Sequence, residues 1–269
     1  MIVQTWRPAL FGLVFDIKSV FPKISSFWIR IGSVILFLAV WQVAAEFADS
    51  DILPAPFSVL QSMFAHIDDG DLLFHVGVTL ARVVVSFFLA MALGVAVGIA
   101  MGRFKTWDAA LDGVLVLALN MPALVVIILC YIWFGLGEFA AILAVTVNKF
   151  PIVVVNMREG ARAVDKDLLQ VAEVFRLDRR RRLFQVYLPQ LYPYLLSSAR
   201  SGLALVWKIV LVVELLGRSN GVGFKLGIFF QFFDITSILA YSFAFIAVVM
   251  AIEYLIIAPL DRRLLEWRT

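Results

Sequence analysis

Charge is what this sequence has least of. Of its 269 residues only 16% are charged, 23 Lys and Arg against 20 Asp and Glu, whereas 62% are hydrophobic. Mean hydropathy is +0.96. A soluble domain carries roughly 25% charged and 45–50% apolar residues, and its solvated surface needs a polar coat that this chain cannot supply. A water-soluble globule is excluded, and the chain reads as an integral membrane protein. Cysteine is nearly absent: Cys130 stands alone in an apolar run, so neither an intrachain disulfide framework nor a cysteine zinc site can be built. His66 and His75 are the only histidines, which argues against a membrane enzyme with a histidine-ligated metal centre. No G-x-x-x-x-G-K-S/T phosphate loop occurs, so the chain does not hydrolyse ATP by that mechanism. The small positive excess, +3 with a pI near 9.1, does not point to nucleic acid, because cytoplasmic loops of membrane proteins produce the same bias.

Long apolar runs are abundant. Six can cross about 30 Å of hydrocarbon as helices of about 20 residues. They cover Ile31 to Ala45 (from near Phe27), Val83 to Met101 with an amphipathic turn from Val76, Leu111 to Trp133, Phe139 to Val155, Leu195 to Leu216 and Ile238 to Leu260. Alternating strand patterns are not seen. Ala9 to Phe15 is apolar but too short to span and has no small-x-small cleavage site, so it reads as an interfacial helix that stays attached. Residues 1–26 thus form a cytoplasmic N-terminal segment and residues 27–269 a six-span domain. Lys and Arg cluster before the first run (Arg7, Lys18, Lys23, Arg30), between the second and third (Arg103, Lys105), between the fourth and fifth, and after the sixth (Arg262, Arg263, Arg268). Glu46 to His75 has none. Both termini are expected in the cytoplasm.

The cytoplasmic loop 158–189 exceeds the usual 2–8-residue connection between helices. Asp165 can cap a short helix in which Leu168, Val171, Ala172 and Phe175 form one apolar stripe. Asp178 can cap a second helix that starts with Arg179 to Arg182 and runs into Pro189. Two readings stand. One is a membrane-surface helix whose arginines meet anionic lipid, at about 1 kcal/mol each. The other is a helix that docks in a groove of a cytoplasmic partner.

The segment Gln170 to Gln190, QVAEVFRLDRRRRLFQVYLPQ, resembles the EAA loop of binding-protein-dependent ABC importer permeases. That pattern is E-A-A, three residues, Gly, nine residues, I-x-L-P. Here Gln170, Val171 and Ala172 take the E-A-A places, Arg176 the glycine place, and Val186, Leu188 and Pro189 the last positions. Three positions depart from the pattern: Gln170 replaces the acid, Val171 the first alanine and Arg176 the glycine. They bear on the salt bridge to the ATPase and on the sharp turn after the helix. Other segments are similar to the sulfonate, taurine and nitrate branch of that family: Leu53-Pro54-Ala55-Pro56 with Val59-Leu60, then His75, Thr79, Leu80 and Arg82. Trp133-Phe134-Gly135-Leu136-Gly137-Glu138 follows, and then Glu214, Gly217, Gly221 and Gly223. The resemblance runs from about Trp41 to the C-terminus, with the motifs in order.

It implies an all-helical, six-span inner-membrane permease subunit of the type I importer kind, a homodimer with its pore on the two-fold axis. Two cytoplasmic ATP-binding cassette subunits would carry ATP and Mg, and a periplasmic binding protein would deliver a small anion such as a sulfonate, taurine or nitrate. This chain would bind no cofactor or metal and catalyse no reaction. A thiamine-precursor pyrimidine or another small organic solute is the alternative cargo. A gradient-driven secondary transporter is the remaining alternative, and no repeat symmetry between halves supports it.

Within the spans, Ala90, Gly94, Gly98 and Gly102 recur at fours, leaving one helix face nearly bare for close packing, within the chain or at a homodimer seam. Ionisable groups there are costly. Lys208 and Glu214 lie in the fifth run, six residues apart and about 240° around the helix, so they do not pair with each other. Lys208 reads either as a positive group on the route of an anion or as half of an ion pair with another helix. Asn120 and Pro122 interrupt the third run, where a freed carbonyl marks either a path or a kink. Asn120, Pro122, Lys208 and Glu214 are thus the candidates for the translocation path.

Overall fold

A computed structural model describes residues 26–48, 50, 52–257 and 259. The interfacial helix expected at Ala9 to Phe15, and the basic residues Arg7, Lys18, Lys23, Arg262, Arg263 and Arg268, lie outside the described residues. Secondary structure is helical throughout, with no strand among the described residues. Two compact units divide at Pro56, so the boundary lies within the span domain expected from residue 27 on. The first unit holds α1, Ser26–Ala48. In it the Trp41 indole donates to the Pro54 carbonyl at 3.1 Å.

The second unit holds α2 (Pro56–Asp68), α3 (Asp71–Arg103), α4 (Lys105–Asn120), α5 (Ala123–Phe134), α6 (Glu138–Arg162) and α7 (Lys166–Val174). These are followed by α8 (Arg179–Arg181), a π-helical segment Arg182–Tyr187, α9 (Leu188–Gly217), α10 (Val222–Gln231) and α11 (Ile235–Ile252). Among the described residues four helices are long and apolar enough to cross a membrane, α1, α3, α6 and α11 with its extension, and the α4–α5 pair makes five if it counts as one span. The expected fifth run falls in α9, which carries Arg200, Lys208 and Glu214 and is not among them.

Several boundaries differ from the sequence expectation. Helix α3 begins at Asp71, because Gly70 adopts φ 75° and separates it sharply from α2. The single span expected over Leu111 to Trp133 is two helices bent by 101°. Met121 precedes a proline, whose ring excludes the helical region for it; its ψ is 125°, and Pro122 then opens α5. Helix α6 runs on through Pro151 to Arg162, so the loop expected from residue 158 starts at Ala163. Its last turns are held to α4 by Arg158 on Asp112, 2.7 Å, and Arg162 on Asp108, 2.5 Å. The chain stays helical from Arg179 through Pro189 to Gly217, so the second loop helix and the next span are continuous. The wide turn ahead of Pro189, where Leu188 N–H donates to Leu183 O, admits a residue that lacks an N–H and would clash in a tight helix. Helix α10 was not expected.

Helices α3 and α6 form the most extensive pair. A Cβ on Gly94 would lie 2.6 Å from Val153 Cβ, on Gly98 2.7 Å from both Met157 Cβ and the Val154 carbonyl oxygen, and on Gly102 2.5 Å from Ala161 Cβ. With fully buried Ala90 they form a seam within one chain. Around it, Val83, Ile127, Val145, Val210 and Tyr241 make the main core, and Met91, Val153, Met157, Tyr187 and Leu191 a second cluster.

Gly98→Ala is expected to lower the melting temperature of the detergent-purified chain by several degrees, since overpacking costs about 1–3 kcal/mol. Gly77→Ala, at a position with nothing within 4 Å, is expected to leave it unchanged. Equal melting temperatures for the two variants would contradict the close seam.

Candidate functional site

The loop between α6 and α8 is a rigid bracket. Asp165 caps α7: its carboxylate accepts from Asp167 N at 2.8 Å and Leu168 N at 3.4 Å. Its own N–H donates to Gln190 Oε1, 2.8 Å away, so the start of the loop is tied to α9. At the other end Leu177 N–H reaches Ala172 O at 3.0 Å and Arg176 N–H reaches Glu173 O at 2.9 Å, the paired bonds of a Schellman cap. Arg176 adopts φ 52°. It therefore keeps the turn of the glycine place, at a cost of about 1 kcal/mol for a side chain in the left-handed region.

The apolar stripe divides differently from the expectation. Leu168, Val171, Val174 and Phe175 are exposed, Phe175 by 75%, whereas Ala172 is buried and Leu169 packs inward beside Tyr187 and Leu191. Nine residues allow one turn-spaced face to point out and another to grip the body. Gln170 lies exposed on the flank. Asp178 does not cap α8 with its side chain; its carboxylate faces Arg181 Nε at 3.5 Å.

At the opposite end of α3 and α6 lies a polar knot. Arg82, on α3, uses all five of its N–H groups. Its Nε donates to Glu138 Oε2 (2.8 Å) and Nη1 to Glu214 Oε1 (2.7 Å) and the Asn220 carbonyl (2.9 Å). Nη2 meets Glu138 Oε1 at 2.5 Å and also Asn220 Oδ1. Glu214 Oε2 accepts from Thr79 Oγ1 and Gly223 N, each at 2.9 Å. Gly221 N donates to His75 Nδ1 at 2.8 Å and Val222 N to Thr79 Oγ1 at 2.9 Å. Arg218 closes the outer side on Glu138 Oε1, 2.7 Å. Gly221 has φ 107°, and a Cβ there would strike the Glu214 carboxyl carbon at 2.3 Å.

This geometry corrects one of the path candidates. Glu214 is fully buried, and its carboxylate is taken up by Arg82, Thr79 and Gly223, so it is an internal anchor. Lys208 is exposed on α9 and makes no ion pair among the described residues. Asn120 and Pro122 are exposed at the α4–α5 break; Asn120 Nδ2 donates to Val116 O of its own helix at 2.8 Å, and no hydrogen bond joins it to Lys208 among the described residues. Lys149 is a further ionisable group, in the cytoplasmic half of the fourth apolar run. It is fully buried, with Nζ 3.0 Å from Ser198 O, in space left by Gly202, whose Cβ would sit 2.0 Å from Nζ. An ionisable residue in an apolar run marks it in the sequence, but only the structure shows that Gly202 makes the space for it.

Glu214→Ala leaves the Arg82 charge half-compensated and buried, and is expected to cost about 3–5 kcal/mol, read as aggregation on size-exclusion after mild heating. The double variant Arg82→Met with Glu214→Met is expected to lose less than the sum of the single losses. Additive losses would contradict the knot.

Residues 72–264 match the family described as binding-protein-dependent transport system inner membrane component. A putative aliphatic sulfonates transport permease protein of Bacillus subtilis is 31% identical over 86% of this chain and 84% of its own length. A taurine transport system permease protein of Escherichia coli is 30% identical over 89% of each. A nitrate import permease protein of Synechococcus elongatus is 24% identical over 76% of each. Among solved structures, a methionine ABC transporter in an inward-facing conformation superposes with a TM-score of 0.56 at 18% identity, covering 69% of this chain and 91% of that one. The helical fold and the extent of these matches lead to one conclusion: the chain belongs to the inner-membrane permease family of binding-protein-dependent transport systems.

Proposed function

We propose that this chain forms the translocation path of an ATP-driven importer for a small anion, of the sulfonate, taurine or nitrate kind that its relatives' names carry. The observation that carries the reading is the outward face of α7. A short helix capped at both ends presents Leu168, Val171, Val174 and Phe175 away from the body. Such a face supports docking in a groove of a cytoplasmic partner, with these side chains as anchors. In this reading the partner is a pair of ATP-binding cassette subunits that hold ATP and Mg. This chain binds no cofactor and catalyses no reaction. Tighter binding of α7 to the closed ATPase pair than to the open one is what shifts the permease between inward-open and outward-open states.

A second copy of the chain completes the path as a homodimer, and a periplasmic binding protein delivers the solute. Six crossings result when α9 is counted beside the other five. The α7 loop and both termini face the cytoplasm, in keeping with the Lys and Arg bias. The anion preference rests on α9, where Ser197, Ser201, Ala204, Lys208 and Val212 recur at helical spacing on an exposed face. A lysine at mid-helix costs about 2.5–3.5 kcal/mol against lipid on insertion scales, so Lys208 is better accommodated on a wet path. The named relatives favour an anion over a thiamine-precursor pyrimidine.

In proteoliposomes with the ATPase and binding protein, Lys208→Ala is expected to lower uptake about tenfold, a contact of about 1.4 kcal/mol, with the ATPase still bound. Phe175→Asp is expected to release the ATPase and leave the fold intact by melting temperature. Unchanged uptake in the first variant would remove Lys208 from the path, and full ATPase retention in the second would remove α7 from the coupling surface.

A further inference from the structure

Behind α7, on the side turned from its docking face, lies a basin of about 880 Å³ that the coupling reading leaves unused. Its walls are the α3–α4 turn, the end of α6, the inner flank of α7 and the Arg179–Tyr187 segment. Six cations line it: Arg103, Lys105, Arg162, Lys166, Arg179 and Arg182. Glu173 is the one acid among the lining residues, and it reaches Arg182 only at 4.0 Å. Arg162 is satisfied by Asp108 at 2.5 Å. Lys105, Lys166 and Arg179 have no carboxylate within ion-pair distance among the described residues.

A second observation points the same way. Tyr187, 8% exposed, lines the basin, and its hydroxyl is buried with no hydrogen-bond partner. An unmet buried hydroxyl costs about 1–3 kcal/mol, and like charges around one void repel. Both are relieved together by an anion with several oxygens, which takes charge-assisted bonds from the cations and the O–H of the tyrosine.

We propose that this basin binds a phosphate-bearing anion, the chemistry shared by the headgroup of an anionic membrane lipid and by a soluble diphosphate. Basic pockets between helices at the membrane surface hold lipid headgroups in this way, and the volume exceeds what a monatomic ion fills. Once bound, the anion bridges Lys166 on α7 to Lys105 beyond the α3–α4 turn and to Arg179 on α8, fixing the coupling helix from behind.

The test uses the full chain in lipid nanodiscs and follows the acetylation rates of Lys105 and Lys166 by mass spectrometry at fixed ionic strength. Replacing part of the phosphatidylcholine with phosphatidylglycerol is expected to slow both about tenfold if the source is lipid. Adding pyrophosphate to pure phosphatidylcholine discs does so if the source is soluble. Protection in either arm that falls at least about threefold in Tyr187→Phe and in Arg179→Ala with Arg182→Ala, at unchanged melting temperature, supports the site. Rates unmoved by both anions, or protection kept in full by both variants, would overturn it.

Discussion

The Arg82 guanidinium is where three helices and a loop are tied together. Burying it in a membrane protein is costly, and the structure meets that cost by giving every N–H an acceptor: two carboxylates, one carbonyl and one amide oxygen. Glu138 starts α6, Glu214 sits near the end of α9, and Asn220 belongs to the connection to α10. Because a half-satisfied charge in low dielectric is far worse than none, the knot holds as a unit. It fixes one end of the α3–α6 pair, while the glycine seam holds the length of that pair and the loop bracket occupies the other end. The bracket, the seam and the knot thus follow one another along the same helix pair.

The bracket keeps its geometry despite an unfavourable residue. Arg176 stands in the left-handed position of a Schellman cap, where glycine has no Cβ penalty. The cap bonds to Ala172 and Glu173, together with the Gln190 link to Asp165, over-determine the turn. The departures at Gln170 and Arg176 therefore leave the bracket standing.

Much of this was legible in the sequence, for identifiable reasons. Runs of about 20 apolar residues have few fates in a membrane, and an Asp immediately before a short amphipathic segment is a local signal that needs no tertiary knowledge. The four-residue spacing from Ala90 to Gly102 showed a bare face but could not name α6 as its partner. The motifs His75-x-x-x-Thr79-Leu80-x-Arg82, Trp133 to Glu138 and Glu214 to Gly223 were read as separate segments; only the structure shows that they meet in one knot. Glu214 was misplaced because an acid in an apolar run looks the same whether it faces water or a buried arginine. Pro122 marked the position of the α4–α5 break but not its angle of 101°, and nothing at Pro189 announced the wide helical turn that accommodates it. The exposed face of α7 differs from the expected stripe at one position, Val174 in place of Ala172, because a nine-residue helix carries apolar side chains on two sides, and periodicity does not say which one the body takes.

The most direct measurement is affinity purification of this chain from its native membrane in mild detergent, followed by mass spectrometry and an ATPase assay on whatever accompanies it. A P-loop subunit at about one copy per permease, as a symmetric assembly requires, turning over ATP, is the expected result. An intact assembly that carries the chain alone, with no ATPase activity, would contradict an importer coupled through α7 and would favour a gradient-driven carrier.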